Sequence, residues 1–242
     1  MPADGSVKRR RAVEESMAFD VSRRSFLTRH DLHLFTGETL FDRIARVLCE
    51  AECLPRKELY ESWEVARRVR RRFRGGRVVD LACGHGLVAQ LMMLLDDSSP
   101  CALAIDRRLP PSASFVAAAI RRAWPRLEGR VTLEERAIDD VAIEEDDVVV
   151  AAHACGALTD VVLTRAIAAR ARVAVLPCCH DVGRNDRGGL EGWLDPALAI
   201  DVTRAARLRA SGYDVRTQTI PADVTPKNRL LIGAPSRIDE SR

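Results

Sequence analysis

Residues 78–86 read Val-Val-Asp-Leu-Ala-Cys-Gly-His-Gly, and the apolar stretch 87–95 follows them directly. This pattern begins with β-branched residues and leads through an acid into a glycine loop. It is typical of a buried parallel strand that is followed by a loop and the first turn of a helix, where a nucleotide-sized ligand binds. The next apolar run ends in Asp106, about 20 residues after the loop, where the second strand of such a unit offers a carboxylate to a ribose. The spacing therefore predicts a site for an adenosine-containing cofactor.

Composition favours one α/β domain. The chain has 242 residues, of which 47 % are hydrophobic and 5 % aromatic, so its core must consist mainly of Ala, Val, Leu and Ile. No apolar run approaches the roughly 18 residues of a membrane span, and the first residues form no apolar signal region, so we expect a soluble, cytoplasmic protein. Seven cysteines, an odd number, favour reduced thiols over a disulfide framework.

Three parts are expected along the chain: a disordered tail, an N-terminal helical extension and a main domain, at residues 1–20, 21–75 and 76–235. Apolar spacing predicts two amphipathic helices in the extension, the first from Thr39 to about Leu54 and the second ending at Gly75-Gly76. In the main domain we predict strands near 77–81, 101–105, 130–135, 147–152 and 172–176. Helices are predicted near 86–95, 112–123, 157–170 and 196–211, the last with Asp195 as N-cap, Pro196 at its first position and Gly212 past its end.

Two further strands, 213–220 and 229–232, are separated by a link too short for a crossover helix, which predicts an antiparallel pair. An otherwise parallel sheet that ends in such a hairpin resembles the class I S-adenosylmethionine-dependent methyltransferase fold. The resemblance implies an α/β, doubly wound, mostly parallel seven-stranded sheet of order 3-2-1-4-5-7-6. Residues 76–235 would then be the class I methyltransferase domain.

The glycine loop carries the same resemblance. Methyltransferases of this class have an acid-x-Gly-x-Gly-x-Gly motif, which the chain matches with Asp80, Gly84 and Gly86, while Ala82 stands at the first glycine position and Cys83 lies inside the loop. The resemblance implies S-adenosyl-L-methionine as the cofactor, with Asp80 oriented towards its ammonium side.

Two further acids complete the predicted cofactor site. Asp106 would accept from the two ribose hydroxyls, and Asp139, after the third strand, would meet the adenine amino group. A helix cap or a solvated turn explains Asp139 equally well. The loop also satisfies the relaxed dinucleotide fingerprint, so an NAD-dependent oxidoreductase remains an alternative.

Three sequence blocks extend the resemblance from the general fold to one particular family. Residues 80–86, 153–160 (His-Ala-Cys-Gly-Ala-Leu-Thr-Asp) and 177–180 (Pro-Cys-Cys-His) resemble the signature blocks of a methyltransferase-domain family. That family includes a eukaryotic tRNA 2′-O-methyltransferase group and methyltransferase-like proteins of uncertain substrate. The acceptor does not follow from the resemblance, because function belongs to sites and not to folds.

The same blocks supply the candidate catalytic residues, which should converge at the carboxyl edge of the sheet. His153 or His180 would act as a general base. Cys178 or Cys179 would be a nucleophile of the kind used in cytosine C5 methylation. The residue types also suit zinc, but the adjacent cysteines lack the usual spacer, so we assign no metal. Burial of these cysteines as small hydrophobic residues is the simplest alternative.

Positive charge is concentrated before the cofactor strand although the net charge is only +3. One side of the second helix carries five arginines that would suit a phosphate backbone: Arg67, Arg68, Arg71, Arg72 and Arg74. Glutamates lie upstream on the same helix, so a charged face that is only solvated explains the arginines equally well. We interpret the chain as an S-adenosylmethionine-dependent methyltransferase. The preferred acceptor is RNA, namely tRNA or rRNA. A non-catalytic cofactor-binding or RNA-binding partner protein is the remaining alternative, and the oligomeric state is not predicted.

Overall fold

A computed structural model describes residues 19–236 and contains one seven-stranded sheet of order β3-β2-β1-β4-β5-β7-β6. Strands β1 to β5 are parallel, and β7 pairs antiparallel with both β5 and β6. The predicted fold, strand order and terminal hairpin are confirmed. The strands are β1 (Val78–Leu81), β2 (Ala102–Asp106), β3 (Val131–Glu135), β4 (Val148–Ala151), β5 (Arg172–Val175), β6 (Tyr213–Thr219) and β7 (Arg229–Pro235).

Helices cover both faces of the sheet because strands buried on both sides must be packed from both sides. Helices α1 to α4 share one apolar cluster with the sheet, whereas α5 and the C-terminal part of α6 pack on the opposite face. The helices are α1 (Leu40–Ala51), α2 (Arg56–Arg72), α3 (Leu87–Leu95), α4 (Ala113–Ala123), α5 (Leu158–Ala168) and α6 (Pro196–Ala210). Three short 3₁₀ helices, which the sequence did not predict, lie at Arg29–Leu34, Pro125–Leu127 and Ile138–Asp140.

Helix ends test the predicted capping residues. The Asp195 side chain accepts hydrogen bonds from the backbone N–H groups of Ala197 and Leu198, and Gly212 has a left-handed φ of 78°, as predicted for α6. The predicted end of α2 at Gly75-Gly76 is wrong. The helix ends at Arg72, because Phe73 adopts an extended conformation that places its ring in the core.

The N-terminal extension shares its core with the rest of the protein. Leu48 of α1 and Val65 of α2 are fully buried in the same cluster as Leu91 of α3. Of the predicted tail, residues 1–18 lie outside the described part of the chain, whereas the Phe19 ring packs 6.0 Å from that of Phe35. The division at residues 75–76 remains a prediction, and the side chains on its two sides share one core. No helix in residues 19–236 is long and apolar enough to cross a membrane.

Candidate functional site

The loop after β1 turns sharply through three left-handed residues. Ala82, Gly84 and Gly86 have φ values of 55°, 56° and 68°. A left-handed conformation costs a residue with a Cβ about 1–2 kcal/mol, so Ala82 keeps the path of the loop at some cost in stability. At Gly86 a Cβ would lie 3.2 Å from the Ala104 Cβ on β2, so glycine permits the close approach of the loop to the sheet.

Asp80 lies beneath this loop and is 1 % exposed. Its Oδ2 accepts a hydrogen bond from the backbone N–H of Ala89, 3.2 Å away in the first turn of α3. Burial raises the pKa of the Asp80 carboxyl to about 8; the Ala89 hydrogen bond opposes that shift, and the charges of Asp106 and Glu58 add to it. A cation bound next to Asp80 would therefore relieve an unfavourable cluster of acids.

Asp106 connects the end of β2 to the glycine loop. Its Oδ2 accepts from the backbone N–H of Gly84 at 3.0 Å, and its Oδ1 accepts from that of Arg108 at 3.2 Å. A carboxylate offers about four acceptor positions, so these two bonds leave capacity for the hydroxyls of a ribose. The structure thus brings Asp80, Asp106 and the two glycines together, as the sequence predicted.

Glu58, in the first turn of α2, also reaches the loop, and the sequence analysis missed it. Both of its carboxylate oxygens lie 2.8 Å from Nδ1 of His85, whose Nε2 is 2.8 Å from Oγ of Ser112. A carboxylate only accepts, so Nδ1 of His85 donates to Glu58. The sequence analysis counted Glu58 only among the upstream glutamates that make a solvated helix face equally compatible, and a pairing across 27 residues has no local signal.

His153, in the loop after β4, lies against the same site. Its Nε2 is buried without a hydrogen-bond partner in the described structure, and the Glu58 Oε1 is 4.0 Å away. A Cβ on Gly84 would stand 3.5 Å from Cδ2 of His153, so the histidine borders the glycine loop. This ring nitrogen is thus left without a hydrogen bond beside the glycine loop.

His180, after β5, is held in a polar network instead. Its Nε2 lies 2.8 Å from Oδ1 of Asp201 on α6, and Oδ2 of Asp201 accepts from Nε of Arg229 at 2.7 Å. Burial alone would raise the pKa of Asp201, but the hydrogen bonds from His180 and Arg229 outweigh it and lower the pKa. Its Nδ1 is buried without a hydrogen-bond partner in the described structure, so His180 keeps one ring nitrogen free while Asp201 orients the other.

A buried arginine extends this network and was not predicted. Arg204 is 2 % exposed, and its Nε and Nη2 each lie 2.9 Å from a carboxylate oxygen of Asp160. Nη2 also donates to the backbone carbonyl of Gly156, and Asn185 donates to Asp160 at 2.6 Å. The loops after β4 and β5 are therefore tied to α6 by charge-assisted hydrogen bonds.

Three of the seven cysteines meet at these two loops. The sulfurs of Cys155 and Cys178 are 3.2 Å apart, and the sulfurs of Cys155, Cys178 and Cys179 all lie within 4.8 Å of one another. The backbone N–H of Gly156 donates to the carbonyl of Cys179, which holds the loops together. Burial, followed by the neighbouring Cys155 thiol, raises the pKa of Cys178, so this thiol is a weak nucleophile in the free protein.

Two other predicted cofactor residues are placed differently. The side chain of Cys83 is 2 % exposed and belongs to the apolar core, and its Sγ lies 3.7 Å from the backbone carbonyl oxygen of Gly84. Asp139 lies in a 3₁₀ helix with 82 % of its side chain exposed, and its Oδ1 is 3.7 Å from Nη1 of Arg165. Their predicted contacts with a cofactor remain predictions.

A groove of about 730 Å³ opens at the same carboxyl edge, between α2, α6 and the β6-β7 hairpin. Arg68, Arg71 and Arg229 line it together with Pro177, which follows β5. Arg68 pairs with Glu64, and Arg229 pairs with the single acid of the groove, which is Asp201. These pairs offset two of the three arginine charges, and the rest of the lining is largely apolar, which leaves Arg71 as the lining arginine without an ion pair among the described residues.

The five predicted RNA-binding arginines differ in their partners. Arg67 and Arg68 pair with Glu64, and Arg74 pairs with Asp96. Arg71 and Arg72 are exposed and make no ion pair with another described residue, and of these two only Arg71 lines the groove.

The strand order, the glycine loop after β1 and the acid at the end of β2 define a class I methyltransferase type of cofactor site. A family profile described as "Methyltransferase domain" matches residues 57–183, more than half of the sequence. The chain belongs to this methyltransferase-domain family, as the sequence blocks predicted. Family membership supports S-adenosylmethionine as the cofactor, and three carboxylates around one loop fit a cationic ligand that carries a diol.

Several methyltransferases are among the solved structures that the chain matches. An O-methyltransferase family protein from Burkholderia thailandensis is 18 % identical, with a TM-score of 0.49 and coverage of 97 % of this chain and 70 % of that chain. The B. subtilis M1A22 tRNA methyltransferase TrmK is 14 % identical, with a TM-score of 0.46 and coverage of 71 % and 65 %. The tRNA (uracil-54, C5)-methyltransferase of Pyrococcus abyssi is 14 % identical, with a TM-score of 0.43 and coverage of 75 % and 39 %. No curated protein matches the chain.

Proposed function

We propose that this protein is an S-adenosylmethionine-dependent methyltransferase that modifies RNA, namely tRNA or rRNA. The observation that carries the choice of acceptor is the groove lined by three arginines, because it opens at the sheet edge where the predicted catalytic loops also end. A guanidinium such as that of Arg71, with no ion-pair partner among the described residues, suits a phosphate oxygen.

The acids around the glycine loop would hold the cofactor. Asp106 accepts from the ribose hydroxyls, and Asp80 faces the ammonium side directly or through water. Glu58 adds a third negative charge near that loop through its contact with His85. When bound, the cofactor supplies a methyl group already activated by the sulfonium, so the protein mainly positions the acceptor and removes a proton from it.

We assign proton removal to His153. Its unpartnered Nε2 accepts the proton of the acceptor hydroxyl or amine, and the carboxylate of Glu58, 4.0 Å away, stabilises the imidazolium that forms. His180 is the second candidate: Asp201 orients its Nε2 and its Nδ1 is unpartnered, but it is His153 that borders the glycine loop. A thiol mechanism through Cys178 would first have to overcome the raised pKa of that group.

The decisive experiment offers the full chain every cellular acceptor at once. Tritiated S-adenosylmethionine is incubated with the protein and a lysate from cells that lack its gene, because unmodified acceptor accumulates there. We expect label that is released by ribonuclease and not by protease, and that sediments with tRNA or rRNA. The His153→Ala protein should label the RNA more slowly, by about 100-fold or more.

Two other outcomes would overturn parts of this proposal. Label that protease releases would replace RNA by a protein acceptor. Cofactor binding by calorimetry without label in any fraction would favour the non-catalytic alternative.

A further inference from the structure

The three clustered cysteines come from two separate loops, which the adjacent pair in the sequence does not reveal. Cys155 follows β4, while Cys178 and Cys179 follow β5. Cys155 and Cys179 are exposed and Cys178 is half-buried, so an ion from solvent has access to the cluster. The sequence argument against a metal was the missing spacer between Cys178 and Cys179, but the sulfurs of these two residues lie within 4.8 Å of each other and of the Cys155 sulfur, so all three can reach one ion.

The spacing of the sulfurs fits a metal better than it fits a covalent bond. Zinc binds thiolates at about 2.3 Å, so neighbouring sulfurs around a tetrahedral ion lie about 3.8 Å apart. The 3.2 Å pair needs only a small expansion to reach that value, and the 4.8 Å limit on all three sulfurs brackets it. A disulfide would require contraction to about 2.05 Å.

We propose that Cys155, Cys178 and Cys179 form a three-thiolate site for a thiophilic divalent ion, with zinc as the ion that fits it. Three protein ligands leave the fourth coordination position open to water or another ligand, which is typical of reactive zinc sites. The ion would join the loops after β4 and β5, which the hydrogen bond from Gly156 to Cys179 already holds in contact.

The surroundings of the cluster are consistent with an anionic metal complex. A divalent ion with three thiolates carries a net charge of −1, and the positive charge of Arg24 lies near Cys155. Cysteine binds a metal ion as the thiolate, so zinc binding should release protons.

The test uses the full chain, purified under reducing conditions and stripped of metal with a chelator. Zinc is titrated against a chromophoric competitor, and cobalt is added separately as a spectroscopic probe. We expect one ion per chain, a thiolate-to-cobalt charge-transfer band and d–d bands of tetrahedral intensity. Replacing any one of the three cysteines by serine should weaken zinc binding about 100-fold or more.

Cys101→Ser is the matched control, because Cys101 is a partly exposed cysteine outside the cluster and should leave the metal affinity unchanged. Circular dichroism of the metal-free variants separates loss of a ligand from loss of the fold. The proposal is overturned if the reduced wild-type protein binds no zinc, or if Cys101→Ser weakens binding as much as Cys178→Ser. A Cys155–Cys178 disulfide formed with hydrogen peroxide, in a protein that binds no zinc when reduced, would identify a redox pair instead. None of these readouts depends on methyl transfer.

Discussion

The two halves of the carboxyl edge of the sheet differ in charge. Around the loop after β1, three carboxylates converge, from Asp80, Asp106 and Glu58. Around the loops after β4 and β5 lie thiols, two histidines and an arginine-lined groove. Under the proposed function, the acidic half would hold the cationic cofactor and the other half, which we call the basic half for its arginine-lined groove, would hold the anionic acceptor.

His153 stands at the boundary between these halves, and its loss should have the largest effect. We expect His153→Ala to slow methyl transfer about 100-fold or more, as is typical for removal of a general base. The affinity for S-adenosylhomocysteine should stay within a factor of about two, because no described hydrogen bond of the loop involves this ring. Single-turnover kinetics and calorimetry measure the two quantities, with His33→Ala, an exposed histidine, as control. Equal losses of rate and affinity would contradict this division of roles.

Asp106→Ala tests the acidic half. Loss of two charge-assisted hydrogen bonds to ribose hydroxyls should weaken cofactor binding by about 3 kcal/mol, roughly 100-fold. Part of that loss would come from the glycine loop, because the backbone N–H of Gly84 also loses its acceptor. Calorimetry with S-adenosylhomocysteine measures the change, and Glu128→Ala is the control because its carboxylate is exposed beside Arg121. An unchanged affinity would remove Asp106 from the cofactor site.

Asp80 predicts a pH dependence of cofactor binding. Its carboxyl, with a pKa of about 8 in the free protein, is mostly protonated at pH 7, and a bound cation favours the carboxylate. Binding should therefore release a proton, and affinity should rise by up to about tenfold per pH unit as the pH approaches 8. Calorimetry in buffers of different ionisation enthalpy counts the proton. Asp80→Asn should abolish the release, and a release that persists in this variant would assign it to another group.

The raised pKa of Asp80 also predicts how the stability of the ligand-free protein changes with pH. The pKa of Asp80 is raised from 3.8 to about 8 on folding, so its favourable contribution is complete below about pH 4 and is lost as the pH rises to 8. Urea unfolding at several pH values should show wild-type stability falling, relative to Asp80→Asn, across that window. A parallel pH dependence of the two proteins would contradict the raised pKa.

Alanine variants of Arg71 and Arg72 form a matched pair that tests RNA binding in the basic half. Both are exposed on α2, but only Arg71 lines the groove. If RNA phosphates occupy that groove, Arg71→Ala should reduce the slope of log affinity against log salt concentration by about 1, and Arg72→Ala should leave it unchanged. Filter binding with tRNA over a range of salt concentrations gives both slopes. Equal effects would indicate a diffuse basic surface instead of a groove.

The sequence predicted the sheet and the glycine loop well because their signals are local. A β-branched run, a glycine loop and a terminal acid occupy consecutive positions, and the hairpin link is visibly too short for a helix. The pairs Glu58–His85 and Asp160–Arg204 are separated by 27 and 44 residues, and neither partner has a distinctive neighbourhood. Such contacts follow only from how α2 and α6 pack, so no reading of one sequence could supply them.

The smallest expected effect is a change in stability at Ala82, where the sequence departs from the methyltransferase motif. The methyltransferase motif has glycine at this position, and Ala82 adopts the left-handed φ of 55° that glycine favours. Ala82→Gly should therefore stabilise the protein by about 1 kcal/mol, since relief of the left-handed strain exceeds the added entropy of the unfolded chain. Ala89→Gly, in the first turn of α3, should instead destabilise by up to about 1 kcal/mol. Urea unfolding measures both, and destabilisation by Ala82→Gly would show that the alanine methyl contributes more through packing than its backbone conformation costs.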